Sequence, residues 1–488
     1  MTGSLEWLVV ALILVPIAGA ALTFFLGLWY PRTGWMVTML TLGLTGVITL
    51  VMLPSVFDDP MHSAVGNIPV SYGIELVLDG ITMVLVVLTL LVITGATVHL
   101  RRTGPRGSAF YSGILLLTGG TLGITLAGDL FNLYVFLEIS AIASYALISS
   151  ADSRVATYAS FKYLLLGTLG ATLYLLGVGY VFVATGTLNM TAVAASFAEI
   201  GYTDPVVVTS FALIGVGLAI KIALFPLHTW LADAHAAAPD AISAIVSGLL
   251  PAVAVYALTR IALSVYTVDF FAANPAFETL LLYGGLITVF AGSIFALLQP
   301  KIKLLLAYST IAQMGLAVVG VALATEQSVY GAMVQLFGHG IVKAALFLLA
   351  GIIAIFYGAR HLDEYAGLAT RSPWLAGAFA VLGISLIGIP PTVGFMGKYY
   401  IVLGAIESGS WLIAILVILS TLLTIAYIVP IIDRLYFHPY EGAMPDRRTL
   451  PGGSTFVVAV AVILAVTIGV VTVPIGELLE PAIEVMVT

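Results

Sequence analysis

Cysteine is absent from the 488 residues. Its absence excludes disulfides, cysteine-ligated iron–sulfur clusters and thiol catalysis. Charge is scarce too: 8% of the residues are Asp, Glu, Lys or Arg, against about a quarter in ordinary soluble chains. The net charge of −7 is spread over loops and termini, so there is no basic patch for nucleic acid. No phosphate loop, nucleophile triad or dinucleotide fingerprint is found, and no cofactor is expected. His228 and His235 stand seven apart across a helix break, which fits no usual ligand motif, so no metal is expected. The first apolar stretch, Leu5 to Trp29, lacks a basic start and a small-residue cleavage site. It reads as a retained span rather than a signal peptide.

What the chain has in abundance is apolar surface: 61% of it is hydrophobic, with a mean hydropathy of +1.14. No soluble domain of this size hides that much, so the fold class is an all-α integral membrane protein. A span needs about 20 apolar residues. Such runs fall near 5–29, 35–54, 77–99, 109–128, 130–149, 157–183, 206–224, 240–263, 276–298, 304–323, 328–357, 374–403, 409–432 and 454–474, fourteen in all. The longest polar stretches are 55–76, 184–204 and 434–453.

If the loops alternate sides, one side receives Arg32, Arg101, Arg102, Arg106, Arg154, Lys301, Lys303, Arg360, Arg371, Arg434, Arg447 and Arg448. The other receives only Arg260, together with Asp58, Asp59, Glu199, Asp204, Asp269 and Glu326. Basic loops stay cytoplasmic, which places both termini outside.

The lysines separate by depth. Lys301 and Lys303 sit at a cytoplasmic turn, and Lys162 lies near a span end, where it can snorkel. Lys221, Lys343 and Lys398 lie well inside spans. A charge there costs roughly 2.5–3.5 kcal/mol on insertion scales and marks a functional site. Lys221 precedes a break at Phe225-Pro226, and Lys398 follows one at Pro390-Pro391. The two interrupted spans, the seventh and the twelfth, lie five spans apart. That spacing predicts a five-helix repeat of inverted topology, with sites at the discontinuities. The domains so defined are 1–100 (three spans), 105–263 and 276–433 (the two repeats) and 450–488 (the last helix).

Glu138 is the only carboxylate inside the fifth span. Beside Lys221 it either exchanges protons or forms a static pair locking two helices. His339 and Lys343 are spaced i,i+4 on one face of the eleventh span and can relay protons in a wet cavity. Gln313, with Tyr308, Ser309 and Thr310, can hold linking waters. His228, Asp233 and His235 either handle protons or cap and satisfy the helix break.

The stretches LFNLYVFLEISAIASYAL, SFKYLLLGTLG, KIALFPLHTWLADAHAAAPDAISAIVSGLL, LLLAYSTIAQMG, HGIVKAALFLLAG and GIPPTVGFMGKYYIV together resemble one family. It comprises the antiporter-like subunits shared by Mrp-type cation/proton antiporters, respiratory complex I and membrane-bound hydrogenases. The resemblance covers roughly residues 75 to 435. It implies fourteen helices with two inverted five-helix halves, a proton pair matching Glu138 and Lys221, and an outer gate matching Lys398. Lysine at 398 is more similar to the Mrp D-type and complex I N-type subunits than to the M-type. One departure stands out: the family's eighth span usually reads GLL-x-K, and here it reads GLLPAVAVYAL, with Pro251 and Ala252 where the lysine belongs. The linking role passes to Lys343 and His339 or to ordered water, or the copy serves as scaffold.

The resemblance implies a proton-translocating D-type subunit of a multisubunit Na+/H+ antiporter in the plasma membrane. Its implied partners are other membrane subunits, including related antiporter-like ones. The alternative is a proton-pumping subunit of a complex I-like NADH:quinone oxidoreductase or a membrane-bound hydrogenase. Only in that second setting would it count as an enzyme.

Overall fold

The computed structural model describes residues 6–57, 60–67, 73–103, 107–440 and 450–487. Asp58, Asp59, Arg106, Arg447 and Arg448, which contribute to the orientation argument, lie outside the described residues. The chain begins with α1 (Glu6–Trp29) and α2 (Gly34–Val56), followed by an antiparallel hairpin of β1 (Met61–Ala64) and β2 (Glu75–Leu78). Then come α3 (Gly80–Thr103), α4 (Ser108–Leu126), α5 (Leu130–Ser149), α6 (Arg154–Thr185), α7 (Met190–Ile200), α8 (Pro205–Ile222), α9 (Thr229–Ala237) and α10 (Asp240–Arg260). A π-helical turn, Ile261–Tyr266, leads to α11 (Thr267–Ala273), α12 (Pro275–Leu297), α13 (Ile302–Ala322), α14 (Glu326–Tyr357) and α15 (Leu368–Arg371). The chain closes with α16 (Pro373–Ile387), α17 (Val393–Glu407), α18 (Trp411–Phe437), α19 (Gly452–Val470) and α20 (Thr472–Val487).

Local chemistry sets these boundaries. Asp129, Ser153, Asn189 and Asp204 cap α5, α6, α7 and α8 by accepting a first-turn N–H. Pro205, Pro275 and Pro373 open α8, α12 and α16, where a missing N–H is harmless. Gly186 and Gly358 end the long helices α6 and α14 in left-handed conformation.

Among the described residues, thirteen helices are long and apolar enough to cross a membrane. The predicted twelfth span is built from two shorter helices, α16 and α17, on either side of its break, which makes fourteen crossings. The protein is therefore multi-pass and helical, as the composition requires. Three features depart from the sequence reading. The polar stretch 55–76 carries the β-hairpin, and 184–204 carries α7. The last segment, read as one helix over 450–488, is two: α19 stops at Val470 and α20 starts at Thr472. α20 is amphipathic, burying Leu479, Ile483 and Met486 on one side.

The centre of the protein is α10, whose most apolar stretch is entirely buried, whereas α19 has only 28% buried and faces outward. Helices α13 and α14 flank α10 in the core. Close backbone contacts fix the pairs around the breaks. A Cβ on Gly217 of α8 would lie 2.6 Å from the Gly170 carbonyl oxygen of α6, so only glycine fits. The same holds at Gly469, where a Cβ would lie 2.0 Å from the Pro391 carbonyl. The last span therefore packs directly on the second break. Helix α4 pairs with α5 as α12 does with α13, and α6 pairs with α8 as α14 does with α17.

Candidate functional site: a buried polar axis

Helix α8 stops because Ala223 adopts a left-handed conformation (φ 65°) and Pro226 lacks an N–H. At membrane depth the freed backbone groups need partners. The Phe225 N–H donates to Thr288 Oγ1 at 2.9 Å, the Trp230 indole N–H to the Ile220 carbonyl at 2.9 Å, and the Leu224 N–H to the Ala219 carbonyl at 2.9 Å. These bonds satisfy part of the break, and His228 adds a bond to the Pro226 backbone. His228 lies between the rings of Phe225 and Phe295, and neither ring nitrogen of His235 has a partner among the described residues.

In the last turn of α8, Lys221 donates to Glu138 Oε1 of α5 at 3.0 Å, and both are largely buried. The partial negative charge of a helix C-terminus also favours an ammonium there. One turn beyond the break, Lys162 of α6 donates to Asp233 of α9 at 2.8 Å. Lys162 is therefore paired across helices rather than merely snorkelling.

The second cluster sits between α10, α13 and α14. Lys343, fully buried, donates to the Leu306 carbonyl at 2.9 Å and to the Ser309 hydroxyl. His339 Nε2 lies 3.3 Å from the Ser247 carbonyl, and the Ser247 and Thr310 hydroxyls share a hydrogen bond of 2.8 Å. Gln313 accepts from Gln335 at 2.5 Å, a residue missing from the sequence reading although it lies one turn from His339 on α14. Gln335 in turn abuts Gly397, next to Lys398 of α17. Lys398 donates to the Ile387 carbonyl at the end of α16 (2.8 Å) and lies 3.4 Å from Thr421 Oγ1. Among the described residues neither Lys343 nor Lys398 has a carboxylate partner. Only carbonyl and hydroxyl oxygens contact the two amines among the described residues. Ala252, at the position of the missing lysine, is buried in apolar surroundings.

Three further pairs were not legible in the sequence. Lys303 donates to Asp240 Oδ1 (3.0 Å) and to the Ala238 carbonyl (2.7 Å), so this lysine does have a structural partner. Arg260 is paired with Asp79 at the start of α3 and donates to the Tyr256 hydroxyl at 2.8 Å. In the hairpin, Glu75 bonds His62 Nδ1 at 2.9 Å and accepts from Asn189 at 2.5 Å. Burial raises the neighbouring Asp129 carboxyl to about 6. Among the described residues, no group of three or more His, Cys, Asp or Glu side chains is arranged to hold a metal.

The hairpin pair yields a pH test. The hydrogen bond to Glu75 raises the His62 pKa above its ordinary 6.5. Burial pushes Glu75 up, but its bonds from His62 and Asn189 leave it below 4.5. The His62 contribution is present below pH 6.5 and lost as pH rises through its raised value; the Glu75 contribution is present above pH 4.5 and lost as pH falls through its lowered value. His62→Ala should therefore lower the thermal unfolding midpoint most between pH 5 and 6, with the difference shrinking by pH 8. A pH-independent difference would contradict it.

A bundle of fourteen crossings with two broken helices and buried lysines strung between them defines an ion-handling membrane subunit. The family described as NADH:quinone oxidoreductase/Mrp antiporter, transmembrane, matches residues 127–424, and the chain belongs to it. It is 37% identical over 466 residues to the N-type subunit of the NADH-quinone oxidoreductase of Desulforudis audaxviator, covering 93% of this chain and 91% of that one. It is 33% identical over 451 residues to the D-type subunit of the Na(+)/H(+) antiporter of Bacillus subtilis, covering 90% and 89%. Its fold superimposes on a chain of the Mrp complex from Dietzia sp. DQ12-45-1b with a TM-score of 0.91, at 26% identity, covering 100% of this chain and 98% of that one. A chain of the archaeal membrane-bound sulfane sulfur reductase gives the same TM-score, at 28% identity over 98% and 97%.

Proposed function

We propose that this chain is the D-type, proton-translocating subunit of a multisubunit Na+/H+ antiporter. The observation that carries the reading is the run of buried polar groups from Lys343 through His339, Gln313 and Gln335 to Lys398. A separate buried lysine–carboxylate pair, Lys221–Glu138, stands at the first break. Protonation of one such group changes the proton affinity of the next, so charge can step along the run. Likeness to the D-type Na(+)/H(+) antiporter subunit of Bacillus subtilis supports sodium as the exchanged ion. Multisubunit relatives support a place beside other membrane subunits. In this reading the arginine-rich face is cytoplasmic, both termini lie outside, and 105–263 and 276–433 are inverted copies. The matching helix pairs on the two sides support that repeat. The supporting groups are His228, Lys162, Asp233, His235 and Gln313, with His228 packed between aromatic rings.

A second reading, a subunit of a redox-driven proton pump, is favoured by the 37% identity to the N-type oxidoreductase subunit. The two separate in inverted vesicles from cells lacking their own sodium/proton antiporters, with the gene expressed alongside its neighbours. Collapse of the pH gradient on adding sodium identifies the antiporter. Proton pumping driven by an electron donor, without a sodium response, identifies the redox complex.

A further inference from the structure

The seam between α10, α13 and α14 does not end at Lys343. On α14, positions 335, 339, 343, 347 and 351 repeat every four residues along one face. Below Lys343, the Phe347 ring meets the ring of His235 edge-on at 6.0 Å. Below that, Gly351 makes room for Asp240, whose Oδ2 would lie 2.7 Å from an added Cβ. On α10 the same seam holds Asp240, Ser243 and Ser247, at i, i+3 and i+7. The Ser243 hydroxyl donates to the His235 carbonyl at 2.6 Å. The seam ends at the Lys303–Asp240 pair, whose side chains are 22% and 25% exposed, on the arginine-rich face.

Around that pair lie three buried side chains whose polar atoms have no partner among the described residues. They are both ring nitrogens of His235, both ring nitrogens of His99 on α3, and the hydroxyl of Tyr365. Asp240 is within electrostatic reach of His99 and Tyr365, and Lys303 and Lys343 are both within reach of His235. Buried polar atoms in folded proteins are nearly always bonded to protein or to ordered water. A buried water typically makes about three such bonds. Five orphaned atoms leading inward from a surface ion pair therefore call for a file of waters.

We propose a second proton inlet, which opens at Lys303–Asp240 on the arginine-rich face and reaches Lys343 past His235, without passing Lys221 and Glu138. It rests on the reading of the chain as proton-translocating. A proton taken up at one ring nitrogen of His235 is matched by one released from the other to a water beside Lys343, whose amine accepts it. His99 and Tyr365 hold the outer waters. The missing eighth-span lysine fits this arrangement, because Lys343 then has its own supply.

The cysteine-free sequence allows a direct test in the assembled complex. Ser243→Cys faces the seam, while Ile245→Cys, two residues on, points to the opposite side of the same helix. A water-soluble cationic methanethiosulfonate is added to inside-out vesicles. Ser243→Cys should label about tenfold faster than Ile245→Cys, because the reactive thiolate requires solvation. Equal rates, or labelling only in right-side-out vesicles, would overturn the inlet. In parallel, assembled His235→Leu should slow sodium-driven collapse of the pH gradient by about a hundredfold or more, the lower end of the range for loss of a proton-transfer group. A wild-type rate in that variant would also overturn it. Labelling with no sodium response rejects antiport and keeps the channel; an intact sodium response with unlabelled Ser243→Cys does the reverse.

Discussion

Lys343→Met should slow sodium-driven proton exchange by about a hundredfold or more, in line with the removal of a proton-transferring group. Methionine has nearly the same volume and suits a helix, so α14 keeps its packing against α10 and α13. What is lost is the one titrating amine between His339 and the Lys303–Asp240 pair. The groups it leaves behind are tolerant: the Leu306 carbonyl also accepts from the Thr310 hydroxyl at 3.1 Å, and the Ser309 hydroxyl donates to that same carbonyl at 2.9 Å. The variant should therefore assemble. The check is the rate of gradient collapse per assembled complex, and a rate within twofold of wild type would exclude Lys343 from the path.

The largest effect on stability is expected at Arg260→Ala. Asp79 is buried (5% exposed) and accepts from the Thr82 N–H at 2.9 Å, with Arg260 as its ion-pair partner. Removing one member of a buried pair leaves an uncompensated charge and costs about 3–5 kcal/mol. The cost falls on the contact between the start of α3 and the end of α10. The double variant Asp79→Asn/Arg260→Met, with no charge left over, should recover most of it. Thermal unfolding of the complex in detergent reads both. Unchanged midpoints in Arg260→Ala, or a double variant no better than the single, would contradict the assignment.

The parts of this site that were legible in the sequence carry a local signature. Lys221 and Lys398 stand out because a charge and a helix break fall within a few residues, and His339 with Lys343 because they share a helix face. The ion pairs do not, since Lys303–Asp240 spans 63 positions, Lys162–Asp233 spans 71 and Arg260–Asp79 spans 181. Only packing brings such partners together. Helix α20 was hidden for a different reason. Its apolar residues Leu479, Ile483 and Met486 are interleaved with Glu477, Glu480 and Glu484, so it offers no uninterrupted apolar run although its apolar residues share one helix face. At the first break the sequence suggested histidines as the polar groups at hand. Beside His228, the Trp230 indole and a threonine from a distant helix, Thr288, also bond freed backbone groups there.

In the function proposed above, the buried lysine–carboxylate pair at the first break drives exchange, and Lys221→Ala tests this most directly. The Lys303–Asp240 inlet supplies protons to Lys343 and not the charge change at Lys221–Glu138, on which exchange depends in this reading. Inverted vesicles carrying the complete complex, wild type or variant, are energised and given sodium while the pH gradient is followed by fluorescence. Collapse is expected in the wild type and none in Lys221→Ala, with the complex still assembled. Collapse at the wild-type rate in assembled Lys221→Ala would show that exchange does not depend on this lysine.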